Sequence, residues 1–178
     1  RVLHAGSFQD DPTRIFRAIR FEQRFGFHLE RATLGLLAQA ASSNLVQRLS
    51  GPRLQNEILL LFAERNPARA IARLGQLKLL RFLHSRLCYT PSVKRTVTAV
   101  PKAVAWSARR FPDSAIDRPI VYLMAMSSEV SQAVVATMFR RLALSREQAK
   151  KVSAGVWVDR ALKKLTNREA TRPSQVYR

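Results

Sequence analysis

Cysteine occurs once in this chain, at Cys88. An internal disulfide is therefore excluded, and the composition fits a reducing compartment such as the cytoplasm. Cys88 itself is expected as a small buried hydrophobe rather than a reactive thiol. The three histidines (His4, His28 and His84) are far apart and have no second ligand at metal spacing, so no metal site is expected. Only 6 of 178 residues are glycine, and no stretch alternates apolar and polar residues for long enough to specify a strand. No apolar run approaches the ~20 residues of a membrane span, and no basic-then-apolar leader opens the chain. Acidic residues are the largest deficit. There are 12, against 31 Lys plus Arg, for a net charge of +19.

Of those 31 cations, 24 are arginine. The planar guanidinium fork suits bidentate phosphate contact and stacking on bases, so the excess points to nucleic acid. A GC-rich coding bias would explain the ratio of Arg to Lys but not the net charge. Hydrophobic residues make up 47%, enough for one good core or two small ones in series.

Apolar residues recur at spacings of three and four, which predicts an all-α fold, an elongated array of about eight or nine helices with no significant sheet. Helix starts are marked by Asp11-Pro12, Asn66-Pro67 and Thr90-Pro91, each a capping residue before a first-turn proline. Ser50-Gly51-Pro52 is a near variant. Ser145 to Gln148 and Thr166 to Glu169 match the capping-box spacing. The expected helices are Pro12–Phe25, Glu30–Ala41, Gly51–Ala63, Pro67–Leu74, Pro91–Arg110, Pro119–Met126, Val130–Leu142 and Arg146–Leu165. Gly26 and the Ser42-Ser43-Asn44 cluster are expected stops. The joint at Arg110 to Ser114 is the best internal break, and the coarse organisation is two regions, 1–88 and 89–178.

On the first helix, Ile15, Ala18, Ile19, Phe21 and Phe25 share one broad face. Arg17, Arg20 and Arg24 share the other, with Arg14 further round at the N-terminal turn. An ordinary solvated face alternates charge to gain i,i+4 pairs, and here only Glu22 breaks the sign. A stripe of one sign favours a polyanion partner. Asp11 and Arg14 place an acceptor and a forked donor side by side, able to meet the pairing edge of a nucleobase. Spacing alone leaves Asp11 equally well explained as a helix cap.

The segment from Leu3 to Phe27 contains Asp10-Asp11-Pro12-Thr13-Arg14 followed by Arg17-Ala18-Ile19-Arg20-Phe21. It resembles the signature of the class II CCA-adding enzymes and their A-adding and poly(A) polymerase relatives. Arg48 to Glu57, with Arg53 and Glu57 four apart, resembles the family's next motif. The resemblance is specific from Val2 to about Leu83 and mostly compositional from Tyr89 onward. It implies that Asp11 and Arg14 pair with the base of CTP or ATP in place of a template. Asp10 stands where the family more often has Glu, and Asp10, Arg17 and Arg20 are expected in support. Arg53 and Glu57 are implied to brace the nucleotide-binding helix; the plain alternative is a local i,i+4 ion pair.

The implied parent adds C, A or both to RNA 3′ ends, tRNA foremost, using Mg2+ and ATP or CTP. The family holds its metals on an Asp-x-Asp pair in a catalytic head that precedes this region. No Asp-x-Asp occurs here, so the chain, which starts without Met, reads as an inactive-alone fragment whose head lies N-terminal. It is expected to bind no cofactor of its own.

From Pro91 onward the cations come in doublets: Lys94-Arg95, Arg109-Arg110, Arg140-Arg141, Lys150-Lys151 and Lys163-Lys164. The last four, with Arg24, are the candidate RNA phosphate contacts. Trp106 and Trp157 are expected in or near the core rather than stacked on bases, and Tyr122, Met124 and Met126 in the core. The competing reading is a stand-alone basic helical RNA-binding module without catalytic activity.

Overall fold

The computed structural model describes residues 2, 4–43, 45–113 and 115–155. Among them the chain is helical without strands: α1 (Ser7–Asp10), α2 (Arg14–Phe25), α3 (Arg31–Ser42), α4 (Gly51–Ala63) and α5 (Pro67–Gln76) come first. A 3-10 turn (Leu79–Phe82) leads to α6 (Pro91–Arg110), α7 (Arg118–Met126) and α8 (Gln132–Leu142). A further helix, α9, begins at 146 and is described as far as 155.

Several ends follow from local chemistry. Gly26 closes α2 at φ 66°, a left-handed conformation that glycine adopts without a Cβ penalty. Thr90 and Ser131 cap α6 and α8 by accepting from Val93 and Val134 N–H. The capping box at α9 is reciprocal: Gln148 N–H donates to Ser145 Oγ at 3.2 Å, and Ser145 N–H to Gln148 Oε1 at 3.1 Å. Asn66, by contrast, makes no side-chain cap bond, although α5 does begin at Pro67. The Thr166 to Glu169 box lies outside the described residues.

One buried core runs from Phe8 to Val152. At its centre α4 packs against α2 and α5 on one side and against α7 and α8 on the other. Leu54, Ile58, Leu61 and Phe62, spaced to face inward on α4, are fully buried. Gly51 makes the α4–α8 approach possible, because a Cβ there would lie 2.8 Å from the Arg141 carbonyl oxygen.

Three sequence expectations are corrected. Cys88 is exposed, since it sits in the extended link between the 3-10 turn and α6 rather than on a helix face. Trp106 is 58% exposed on α6 beside Phe111, their rings 6.0 Å apart edge to face. The core face of α2 is Ile15, Phe16, Ile19 and Glu22, while Phe21 and Phe25 point to solvent. The buried carboxylate turns the helix away from the face that hydrophobicity alone selects, because Arg73 neutralises it from α5. Tyr122 and Met126 are buried as expected, and Met124 is partly buried against the core.

Candidate functional site

Helix α2 starts at Arg14, two residues later than the Asp-Pro signal suggests. Pro12 and Thr13 form a turn held by Asp11, whose Oδ1 accepts from Thr13 N–H at 3.1 Å and Thr13 Oγ1 at 2.7 Å. Asp11 thus caps a turn that precedes the helix, an Asx arrangement. The same Oδ1 accepts from Arg53 Nη2 on α4 at 2.9 Å. Partial burial alone would push the Asp11 carboxyl up. The Thr13 hydrogen bonds and the Arg53 and Arg17 charges outweigh it and hold the pKa below the usual range. Asp11 is therefore a fixed, ionised acceptor, and every hydrogen bond its carboxylate accepts among the described residues falls on Oδ1.

Arg14 is anchored differently. Its Nη1 donates to Ser7 Oγ at 2.9 Å and to the Ser7 carbonyl at 3.2 Å, so the short helix α1 sets its direction. It borders a recess of about 650 Å³ between α1, α2 and α3, which Arg17, Phe21 and Phe27 also line. Asp10 projects to solvent beside His4, 3.4 Å from Nε2.

The pair Arg53 and Glu57 does not close on itself. Arg53 reaches Asp11, while Glu57 Oε1 accepts from Arg17 Nε at 2.8 Å from a position 2% exposed. Both contacts run from α4 to the start of α2, separated by some 40 residues of sequence. The hydrogen bond and charge of Glu57 raise the Arg17 pKa still further, so that guanidinium is permanently charged. One turn on, Glu64 Oε1 lies 3.5 Å from Arg20 Nη1 and 3.7 Å from Arg24 Nη1. The arginines expected as an unneutralised stripe are thus opposed by two carboxylates seven residues apart. Glu22 is buried inside the fold. It takes Arg73 Nε at 2.8 Å, Arg73 Nη2 at 3.1 Å and Leu29 N–H at 3.2 Å.

The doublets divide. Arg109, Arg110, Arg140 and Lys150 are exposed. Lys151 is also exposed and pairs with Glu147 at 2.7 Å. Arg141 is turned inward, donating to the Leu49 carbonyl at 2.8 Å and the Val46 carbonyl at 3.0 Å, with burial lowering its pKa. It ties α8 to the turn before α4. Lys163, Lys164 and Trp157 lie outside the described residues. Sequence reasoning did not select Ser7, Thr13, Glu64 or Arg73. The signal for Thr13 was Asp-Pro-Thr, an Asx turn; Glu64, just past the end of α4, carried no such signal.

Comparison with known proteins gives a consistent likeness. The family model described as the probable RNA and SrmB-binding site of polymerase A matches residues 26–89. An A-adding tRNA nucleotidyltransferase of Geobacter sulfurreducens is 36% identical over 99% of this chain and 21% of its own length. The A-adding tRNA nucleotidyltransferase of Aquifex aeolicus is 34% identical over 73% of this chain and 16% of its own. The chain thus spans about a fifth of the curated relatives it matches. Among solved structures, the Thermotoga maritima CCA-adding enzyme complexed with tRNA superposes with a TM-score of 0.77 at 33% identity. That match covers 94% of this chain and 41% of the other. A CCA-adding enzyme in complex with ATP gives 0.79 at 33%, covering 99% and 42%.

Proposed function

We propose, on the premise that this chain belongs to the class II CCA- and A-adding nucleotidyltransferase family, that it selects the incoming nucleotide and holds the RNA being extended. The observation that carries this reading is the pair of cross-braces from α4 to the start of α2. Arg53 fixes Asp11 and Glu57 fixes Arg17, the two braces leaving α4 one helical turn apart. A group that reads a base must be held in direction before the base arrives, and two charge-assisted bonds from a buried helix do this.

The chemistry follows from the atoms left over. Asp11 Oδ2 faces an amino group, and the Arg14 guanidinium, engaged at Nη1, keeps donors for a ring nitrogen. Cytosine and adenine both present an amino donor beside an unprotonated ring nitrogen. Guanine and uracil present an acceptor beside an N–H, which would set Asp11 against an oxygen and Arg14 against a donor. One fixed acceptor and one fixed donor therefore admit C and A and reject G and U. Arg17 and Arg20 support the helix from its far face through Glu57 and Glu64.

The RNA side of the proposal rests on the exposed cations Arg109, Arg110, Arg140 and Lys150 and on the net charge. The whole protein would add C, A or both to RNA 3′ ends, with tRNA the first substrate to test and ATP or CTP as donor. The family's two metal ions find no donor set here. There is no Asp-x-Asp, and no three acidic, His or Cys side chains converge among the described residues. The chemical step therefore belongs to a part of the protein other than these helices.

The test is Asp11→Ala in the full-length protein, read as incorporation of each nucleotide and, separately, as RNA affinity. A base contact of this kind is worth roughly 1–3 kcal/mol of discrimination. Preference for A and C over G and U should thus fall about tenfold or more while RNA affinity holds. Equal loss of both, or of neither, would defeat the templating role.

A further inference from the structure

A groove follows the junction of α2 and α5, and its Phe27 end adjoins the recess that Arg14 borders. At one end is a recess of about 410 Å³, whose walls carry Arg20, Arg24, Arg65 and Arg69 with Glu64 as the one carboxylate. It shares Gln23 and Arg69 with a second recess of about 500 Å³ that runs on to Phe27 and His28. On α2 the lining positions 20, 23 and 24 follow helical spacing, and Phe27 joins them from the loop after Gly26. On α5 the positions 69, 72, 73 and 76 also follow helical spacing, so the two helices form opposite walls. The groove is about 15 Å long by the rise of α5, and the buried Glu22–Arg73 pair borders it.

Charge in the groove is poorly compensated. Glu64 is shared between Arg20 and Arg24 at 3.5 and 3.7 Å, well beyond the 2.7–2.9 Å of a strong charge-assisted bond. Arg65 and Arg69 are exposed and make no hydrogen bond or ion pair among the described residues. At the other end Phe27 is 65% exposed, and its ring stacks on Phe25 at 5.5 Å and 29°. An exposed ring lining one end of an arginine-walled groove, Phe27, makes a poor protein surface in water. The arginines and the ring match the two parts of a nucleotide, since guanidiniums take phosphates and a flat ring takes a base.

We propose that this α2–α5 groove binds single-stranded RNA, with backbone phosphates on Arg65 and Arg69 and one base against Phe27. The inference rests on the RNA-holding reading above and adds where a strand lies. A duplex would not fit the role, because its bases are already stacked and unavailable to Phe27.

The experiment measures binding of a short single-stranded RNA and of a hairpin of equal length by fluorescence anisotropy, across a salt series, with the full-length protein. Arg65→Ala/Arg69→Ala should weaken single-strand binding about tenfold and flatten the log-log salt slope by about 1.4, two phosphates at ~0.7 each. Phe27→Ala should weaken it about fivefold or more with the slope unchanged, because stacking releases no counterions. Both variants alter exposed side chains, and an unchanged melting temperature would confirm that they fold. Single-strand affinity within twofold of wild type in the arginine variant would overturn the proposal. Equal loss of hairpin and single strand, with no effect of Phe27→Ala, would reduce the groove to a generic basic patch and overturn the single-strand assignment. Either failure is separate from failure of the Asp11 reading, which turns on a loss of nucleotide preference at unchanged RNA affinity in a different variant, Asp11→Ala.

Discussion

Glu22→Gln tests whether α2 depends on the buried ion pair at its far end. The carboxylate is 4% exposed and accepts both Arg73 Nε and Arg73 Nη2, together with the N–H of Leu29 in the loop after α2. The amide keeps the shape but removes the charge and strands Arg73, and deleting one partner of a buried pair costs about 3–5 kcal/mol. Arg73 is 24% exposed, so water recovers part of the loss and the lower end, about 3 kcal/mol, is expected. In a chain of this size each kcal/mol moves the melting temperature by about 2–4 °C, so a fall of about 6–12 °C at pH 7 follows.

The pH dependence gives a second readout of the same pair. Burial alone would raise the Glu22 pKa, but the Arg73 and Leu29 hydrogen bonds and the Arg73 charge outweigh it and the pKa is lowered. A lowered carboxyl contributes stability that is fully present above the ordinary glutamate value of about 4.3 and lost as pH falls through the native value. The gap between wild type and Glu22→Gln should therefore be constant from pH 5 to 8 and close below about pH 4. Adding Arg73→Met should restore part of the stability, because no stranded charge remains. Thermal melts followed by far-ultraviolet circular dichroism decide the matter. A melting temperature within about 2 °C of wild type at pH 7, or a gap that does not close in acid, would refute the reasoning.

Two further outcomes follow from packing. Gly51→Ala should destabilise by about 1–3 kcal/mol, the range for overpacking, because the new methyl meets the Arg141 carbonyl at 2.8 Å, and backbone cannot swing aside; a denaturant midpoint unchanged from wild type would argue against it. Arg141→Ala leaves the carbonyls of Val46 and Leu49 without their donor. It should lower stability by about 1–3 kcal/mol in urea titration while leaving the salt slope of RNA binding unchanged. A shallower slope would make Arg141 a phosphate contact after all.

The helices were most legible where a first-turn proline or a capping box marks the start. Pro91 to Arg110 and Gly51–Ala63 have the observed bounds, and the Ser145–Gln148 box forms both of its bonds. The site was legible in its residues but not in its wiring. Asp11, Arg14, Arg53 and Glu57 could be picked out by pattern, yet the partner of Arg53 is 42 positions away and that of Glu57 is 40. An i,i+4 pair is the local reading of Arg53 and Glu57, and only tertiary packing shows each reaching to another helix instead. The orientation of α2 was misread for a related reason. Hydrophobicity ranks Phe21 and Phe25 above Glu22 for burial, and the order reverses only because Arg73 arrives from α5 to neutralise the carboxylate.

The arginines consequently form two populations with different physics. Arg14, Arg17, Arg20, Arg53, Arg73 and Arg141 each have an acceptor within the molecule, and their charges go into holding helices against one another. Arg65 and Arg69 have none among the described residues. The net charge of +19 does not distinguish the two sets, because it counts a buried brace and a free guanidinium alike. Salt does distinguish them. Partly buried pairs are screened little at physiological ionic strength, where the Debye length is about 8 Å, whereas phosphate contacts weaken steeply as counterions return. On the functions proposed above, the Glu57–Arg17 brace, whose carboxylate is 2% exposed, would be screened less than phosphate contacts along the α2–α5 groove.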